Sequence, residues 1–388
     1  MTRKRIVLFL PHRDNPGLGI RTSADLVPLE LLQIATYPAA NGYEVVMIDA
    51  MVHEDYEKRV LEACEGALVF ATSCILGYQV YHGATVARAV RAKFPKLPIL
   101  WGGWFPSVYP ELFLQNDVAD AVGLGQGEMT FWECVQALDS GTPLDDVPGL
   151  ALWRDGKLHK TAHRPVVGFD EIPRVPWELL DYELYVKLQN TKSPNKVRQT
   201  HPTPPGLENK PRRAITYYSS YGCPEPCTFC CSPIVTGRRW KAIPGKVLAE
   251  RVLELHDRFK FDTLRYQDAN FGVAEKRSNE WCEALIAAKT PFFWSATYEI
   301  ETVARYKESS CDLLKDSRCY LLITGAEAGT QEQQVRIKKN IDVNKSLDLC
   351  FGRATERGML THATWIIGYP RESRESMLGT LLMAGKIK

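Results

Sequence analysis

The chain has 388 residues, of which 45% are apolar and 24% charged. That length suits two or three domains of roughly 100–200 residues, and the composition excludes disorder over most of it. With 48 Lys and Arg against 46 Asp and Glu the net charge is +2, which argues against a nucleic-acid partner held by bulk charge.

No window approaches about 18 uninterrupted apolar residues, so no membrane span is expected. The opening MTRKRIVLFLPHRDNPG has a basic head, but its apolar run ends at Pro11-His12-Arg13-Asp14. This suits a buried first strand better than a signal peptide, and a cytoplasmic location is expected. Apolar runs at 5–11, 44–50, 67–73, 98–101 and 120–124 alternate with helix-period stretches near 28–42, 56–66, 79–95, 109–116 and 129–139. The pattern predicts an α/β domain over 1–145, built on a doubly wound parallel sheet. Ligands of such sheets bind beyond the carboxyl ends of the strands. Those ends carry Pro11-His12-Arg13, Asp49-Ala50, Thr72-Ser73, Gly102-Gly103 and Gly125-Gln126-Gly127-Glu128.

Residues 146–210 read differently. LALWRDGKLHK, 150–160, predicts a hairpin turning at Asp155-Gly156. The stretch 187–213 holds seven Lys or Arg, one Glu and five Pro, and reads as a solvated linker. From 214 the alternation resumes, placing a second domain at 211–388. Strands are predicted at 215–221, 263–268, 292–298, 319–325 and 360–367, with helices over 246–259, 278–289, 344–357 and 372–384.

Eleven cysteines are unusual in a chain too long for a disulfide scaffold, and they point to a reducing compartment. Most sit singly in apolar stretches, where a free Cys packs as a small hydrophobe. Four crowd into YGCPEPCTFCCS, 221–232, where Cys223, Cys227 and Cys230 have the spacing C-x3-C-x2-C. Three thiolates on one loop can hold a metal centre. Zinc in a structural site wants four ligands, whereas a cubane iron–sulfur cluster held by three keeps one iron open; spacing alone does not choose. Cys231 reads as a packing neighbour.

The cysteine segment resembles the signature of radical S-adenosylmethionine (SAM) enzymes, with Phe229 in the aromatic slot. Downstream, LRYQDANFG (264–272), ITGAEAGTQE (323–332) and WIIGYPRES (365–373) resemble later segments of the same family, in the same order. The resemblance implies a partial (βα) barrel and a 4Fe-4S cluster on Cys223, Cys227 and Cys230. It places SAM near Phe229, Asp268, Gly325, Glu327, Ile366 and Gly368, and implies an electron donor such as flavodoxin or ferredoxin. Such barrels usually have six strands; five are visible, so the barrel is expected to be one strand short at its carboxyl end.

The first 145 residues resemble the cobalamin-binding domain fused to many of these enzymes. The matching pieces are 28–50, ATSCI (71–75), LWGGWFPS (100–107) and GLGQGEMTF (123–131). They imply cobalamin contacts at Thr72, Ser73, Gly102, Gly103, Gly125, Gly127 and Glu128. The motif Asp-x-His-x-x-Gly is absent: His53 lies two places late after Asp49 and reads as a surface loop residue. No G-x-G-x-x-G follows the first strand, which disfavours a nicotinamide site. The function implied is cobalamin-dependent methyl transfer to an unactivated carbon, or phosphorus, of a small-molecule substrate, through a 5′-deoxyadenosyl radical. The alternatives are an oxidative cyclase similar to the anaerobic magnesium-protoporphyrin ester cyclases, and a non-catalytic cobalamin or iron–sulfur sensor.

Overall fold

The computed structural model describes residues 3–15, 26–191, 202–339 and 341–387. The chain divides into two units, Met1–Pro202 with Ile234–Gly237, and Thr203–Pro233 with Arg238–Lys388.

In the first unit the near-continuous apolar runs form strands, most of them buried on both faces as parallel sheets require and the edge strand Glu44–Asp49 only partly so. They are β1 (Arg5–Leu10), β2 (Glu44–Asp49), β3 (Val69–Ser73), β4 (Ile99–Gly102) and β5 (Ala121–Gly123). On β1, Ile6, Leu8 and Leu10 pack on one side with Leu31 and Phe131, while Val7 and Phe9 pack on the other with Val86 and Val90. The predicted hairpin forms as β6 (Leu150–Arg154) and β7 (Lys157–Lys160), with φ of 50° at Asp155 and 72° at Gly156. Both turn residues are left-handed, as a two-residue hairpin demands.

Among the described residues the sheet order is β2-β1-β3-β4-β5-β6-β7. The first five strands are parallel; β6 pairs antiparallel with β5. The hairpin expected in the connector therefore extends this sheet beyond residue 145 and covers what would be the open edge of β5. The order reverses between β1 and β3, which makes their carboxyl ends the switch point where such sheets hold ligands. The helix predicted over 28–42 is two, Leu29–Ile34 and Thr36–Ala40. Pro38 has no N–H to give the Ile34 carbonyl, so the helix breaks there. Of the basic stretch 187–213, residues 192–201 lie outside the described residues.

The second unit holds β8 (Ala214–Tyr217), β9 (Ser220–Gly222), β10 (Trp240–Ala242), β11 (Thr263–Tyr266), β12 (Phe293–Tyr298), β13 (Cys319–Glu327) and β14 (Leu360–Trp365). Among the described residues five of these form one parallel sheet, ordered β14-β13-β12-β11-β8, and it does not close into a barrel. Each strand joins its predecessor in chain order, the pattern of a (βα) barrel opened along one side. The core is aromatic: Tyr266 and Phe271 lie 4.7 Å apart, and Trp281 meets Trp294 edge-on at 5.9 Å. The strand predicted over 215–221 is interrupted. β9 leaves the sheet after Tyr217 and pairs antiparallel with β10. No described helix is long and apolar enough to cross a membrane.

One glycine at the first unit's ligand-facing edge is obligatory. Gly103 has φ of 106°, and a Cβ there would lie 2.2 Å from the Cys74 carbonyl oxygen. Gly103→Ala is expected to lower unfolding free energy by about 2–3 kcal/mol, measured by urea titration. A loss under about 0.5 kcal/mol would show that the β3 and β4 ends are not locked together.

Candidate active site

The strand ends of the first unit bring the expected cobalamin residues onto one edge. Thr72 is buried, and its hydroxyl has no partner among the described residues. Ser73 sits beside Gly103, and Gly102 faces open space. Ser107, which the sequence did not single out, ties two strand ends together. Its hydroxyl donates to the Gly103 carbonyl at 2.7 Å and accepts from the Gly125 N–H at 3.1 Å. Gly127 precedes the helix Glu128–Ser140, and Glu128 is its first residue. Burial pushes the Glu128 carboxyl up to about 7, against the pull of the backbone N–H groups there, and one carboxyl oxygen has no partner. Two orphaned buried polar atoms beside open glycine backbone fit a group with a polar tail lying on this edge. His53 folds back onto the backbone of Asp49, 3.1 Å from its carbonyl, as a loop residue. Asp49 is itself held inward by the Tyr185 hydroxyl at 2.8 Å.

In the second unit the three cysteines occupy the loop after β9. Its path is set by Asp268, which takes the Ser219 N–H at 2.7 Å, the Ser219 hydroxyl, and the Ser220 hydroxyl at 2.7 Å. Arg277, also buried, donates to the Ser219 hydroxyl at 2.6 Å and to the carbonyls of Ile243 and Phe271. Asp268, expected near SAM, is placed here as the residue that shapes the start of the cysteine loop. Both its oxygens are committed to the bend that takes the chain out of the sheet and toward Cys223.

Cys227 is buried, and Cys223 and Cys230 are half-buried. Burial raises the Cys223 thiol and pushes Cys227 up to about 11. Cys230 is drawn down to about 6, first by a hydrogen bond from the Cys231 thiol and further by the Ser232 N–H at 3.4 Å. Each of Cys223 and Cys227 feels the charge of Cys230, which places the three in one electrostatic neighbourhood. Among the described residues no three His, Cys, Asp or Glu side chains close round a single ion.

Glu327 stands at the end of β13 with φ of 65°, an uncommon left-handed conformation for Glu. The strand bulges there, and its side chain folds back over Gly325, where a Cβ would lie 2.1 Å from a carboxyl oxygen. Burial raises the Glu327 carboxyl, Lys339 opposes the rise, and Cys230 adds to it. The Ile366 N–H bonds to the Glu327 carbonyl at 2.9 Å, and the Gly368 N–H to Glu372 at 2.7 Å. Phe229, 38% exposed, meets the ring of Tyr369 edge-on at 5.8 Å. The structure thus gathers Phe229, Glu327, Ile366 and Gly368 near the cysteines. Tyr369 was missed, although it directly follows Gly368. Glu299, after β12, was missed too. One oxygen caps a helix through the Thr302 N–H at 2.9 Å, and the other is buried without a partner.

Comparison with known proteins bears on both units. Residues 17–135 match the B12 binding domain family. An uncharacterised methyltransferase of Pyrococcus horikoshii is 25% identical over 354 residues, covering 87% of this chain and 72% of that protein. The cytidylyl-2-hydroxyethylphosphonate methyltransferase of Streptomyces wedmorensis is 25% identical over 386 residues, covering 88% and 69%. The anaerobic magnesium-protoporphyrin IX monomethyl ester cyclase of Synechocystis is 26% identical over 296 residues, covering 73% of this chain and 52% of that one. Among solved structures, the cobalamin-dependent SAM radical enzyme OxsB, with aqua-cobalamin and SAM bound, superposes with a TM-score of 0.77 at 15% identity. It covers 98% of this chain, which spans about half (52%) of OxsB.

Two outcomes are expected. Asp268→Ala leaves Arg277 buried without its counter-charge and frees the bend, so stability falls by about 3–5 kcal/mol and iron retained after anaerobic reconstitution drops; unchanged iron content would separate the bend from the cysteines. Glu128 has a folded pKa raised from 4.5 to about 7, so the folded state binds the extra proton and stability declines as pH rises between those values. Glu128→Gln should therefore melt higher than the parent above pH 7, by roughly 3 kcal/mol at most, and converge with it below pH 4.5. Residues 17–135 thus match the B12 binding domain family, and the chain has the fold of the solved cobalamin-dependent SAM radical enzyme it resembles.

Proposed function

We propose that this chain is a cobalamin-dependent radical SAM methyltransferase acting on an unactivated carbon or phosphorus of a small molecule. The observation that carries the reading is the cysteine loop. Cys223, Cys227 and Cys230 stand at the ligand-binding end of an open parallel sheet, in a chain that also matches a B12-binding domain. Three thiolates without a fourth fit a cluster that takes one thiolate per iron and leaves one iron open. When bound, the cluster and SAM supply a carbon radical, and cobalamin supplies the methyl group.

The chain's own residues hold and shield. The three cysteines would carry the cluster. Phe229, Tyr369, Ile366 and Gly368 would flank SAM with apolar surface and open backbone, and Glu327 would present a carboxylate to it. On the first unit, Thr72, Ser73, Gly102, Gly103, Gly125, Gly127 and Glu128 would hold cobalamin. An external one-electron donor such as flavodoxin or ferredoxin would reduce the cluster, and a cytoplasmic location suits free thiols.

The likeness to the cyclase supports oxidative cyclisation as a second reading. Anaerobic protein supplied with iron, sulfide, cobalamin, SAM and a low-potential reductant separates the two. Methyl transfer yields S-adenosylhomocysteine together with 5′-deoxyadenosine; cyclisation yields no S-adenosylhomocysteine. A protein that never cleaves SAM under these conditions is a sensor, and the enzyme reading is lost. Replacing any one of Cys223, Cys227 or Cys230 with Ala is expected to abolish cleavage, and a variant that cleaves SAM normally removes that cysteine from the ligand set.

A further inference from the structure

The segment after β13 is latched to the middle of the cysteine loop. Thr228 lies between Cys227 and Phe229, and it donates to the Ile337 carbonyl twice, from its N–H at 3.0 Å and its hydroxyl at 3.4 Å. Ile337 is anchored in turn, 2% exposed and packed with Ala328, Tyr369 and Ile366. Just beyond, Lys338 adopts φ of 55°, and the Lys339 N–H returns to the Gln334 carbonyl at 3.1 Å. The latch and the tight turn fix where Lys339 leaves the backbone, two residues past the contact with the cysteine loop.

Lys339 is half-buried, and its charge is felt by several groups rather than by one partner. It lies instead within electrostatic reach of Cys223, Cys227, Cys230, Glu299 and Glu327 together. Arg336, on the same segment, is engaged by the carbonyls of Pro370 and Arg371.

We propose that Lys339 is the positioning charge of the cysteine loop, and that it sets the potential at which a bound iron–sulfur cluster accepts an electron. The inference rests on the cluster reading above. An oxidised cubane core of charge 2+ with three thiolates carries a net charge of about −1, and one electron makes it about −2. No bond forms or breaks. A cation held nearby stabilises the more negative state, an effect that ions in solution weaken because Lys339 is only half-buried.

The test compares wild type, Lys339→Met and Lys339→Arg as full chains, reconstituted anaerobically with iron and sulfide. Each is titrated with dithionite through viologen mediators, without SAM, and the reduced cluster is followed by electron paramagnetic resonance. Lys339→Met is expected to load a cluster and titrate at a lower midpoint potential, with Lys339→Arg close to wild type. A Lys339→Met variant that fails to load while Lys339→Arg loads also supports a charge role. The proposal is overturned if fully loaded Lys339→Met titrates at the wild-type midpoint, or if Lys339→Arg shifts as far as Lys339→Met. Wild-type protein holding neither iron nor sulfide would instead sink the cluster reading, an outcome visible in the metal analysis before any titration.

Discussion

Asp268 is buried, and nearly everything at the second unit's ligand-facing end hangs on its hydrogen bonds. A carboxylate shut away from water must be met by donors or become protonated. The donors here are two consecutive serines, 49 and 48 residues earlier in the chain, with Arg277 behind them. Satisfying the charge therefore bends the chain at Ser219–Ser220, and the bend delivers the cysteines. Arg277 also donates to the carbonyls of Phe271 and Ile243, both buried, so the loop is braced by the sheet's own core.

Around the cysteines the electrostatic problem is the reverse. Cys223, Cys227, Glu327 and Glu299 all gain negative charge on ionising, and Lys339 is a cation that opposes their upward shifts. Desolvation dominates at most of these groups and favours their neutral forms. Cys230 is the exception, because donors from Cys231 and Ser232 favour its thiolate.

Much of this was legible in the residues. The parallel strands announced themselves because burial on both faces demands continuous apolar runs such as RIVLFL. The three cysteines, Phe229, Glu327 and the strand-end glycines were visible as local patterns. What was hidden depended on contacts across the chain. The break between β8 and β9 is imposed by Asp268, 49 residues from Ser219, and no local signal at 215–221 reveals it. Lys339 reads as one more lysine in a basic run until the Thr228–Ile337 contact brings it to the cysteines. The hairpin at 150–160 was plain, but its partner strand was not, since hairpins carry no mark of the edge they join.

The backbone of Glu327 separates what the fold wants from what the site wants. A glycine would take φ of 65° freely, whereas a longer side chain there is strained by about 1 kcal/mol or more. Its carboxyl is also pushed into a poorly solvated place. Judged on stability alone, 327 is a poor address for Glu. A residue held in a strained, poorly solvated place weakens its own scaffold, and such places are where stability and activity commonly pull against each other.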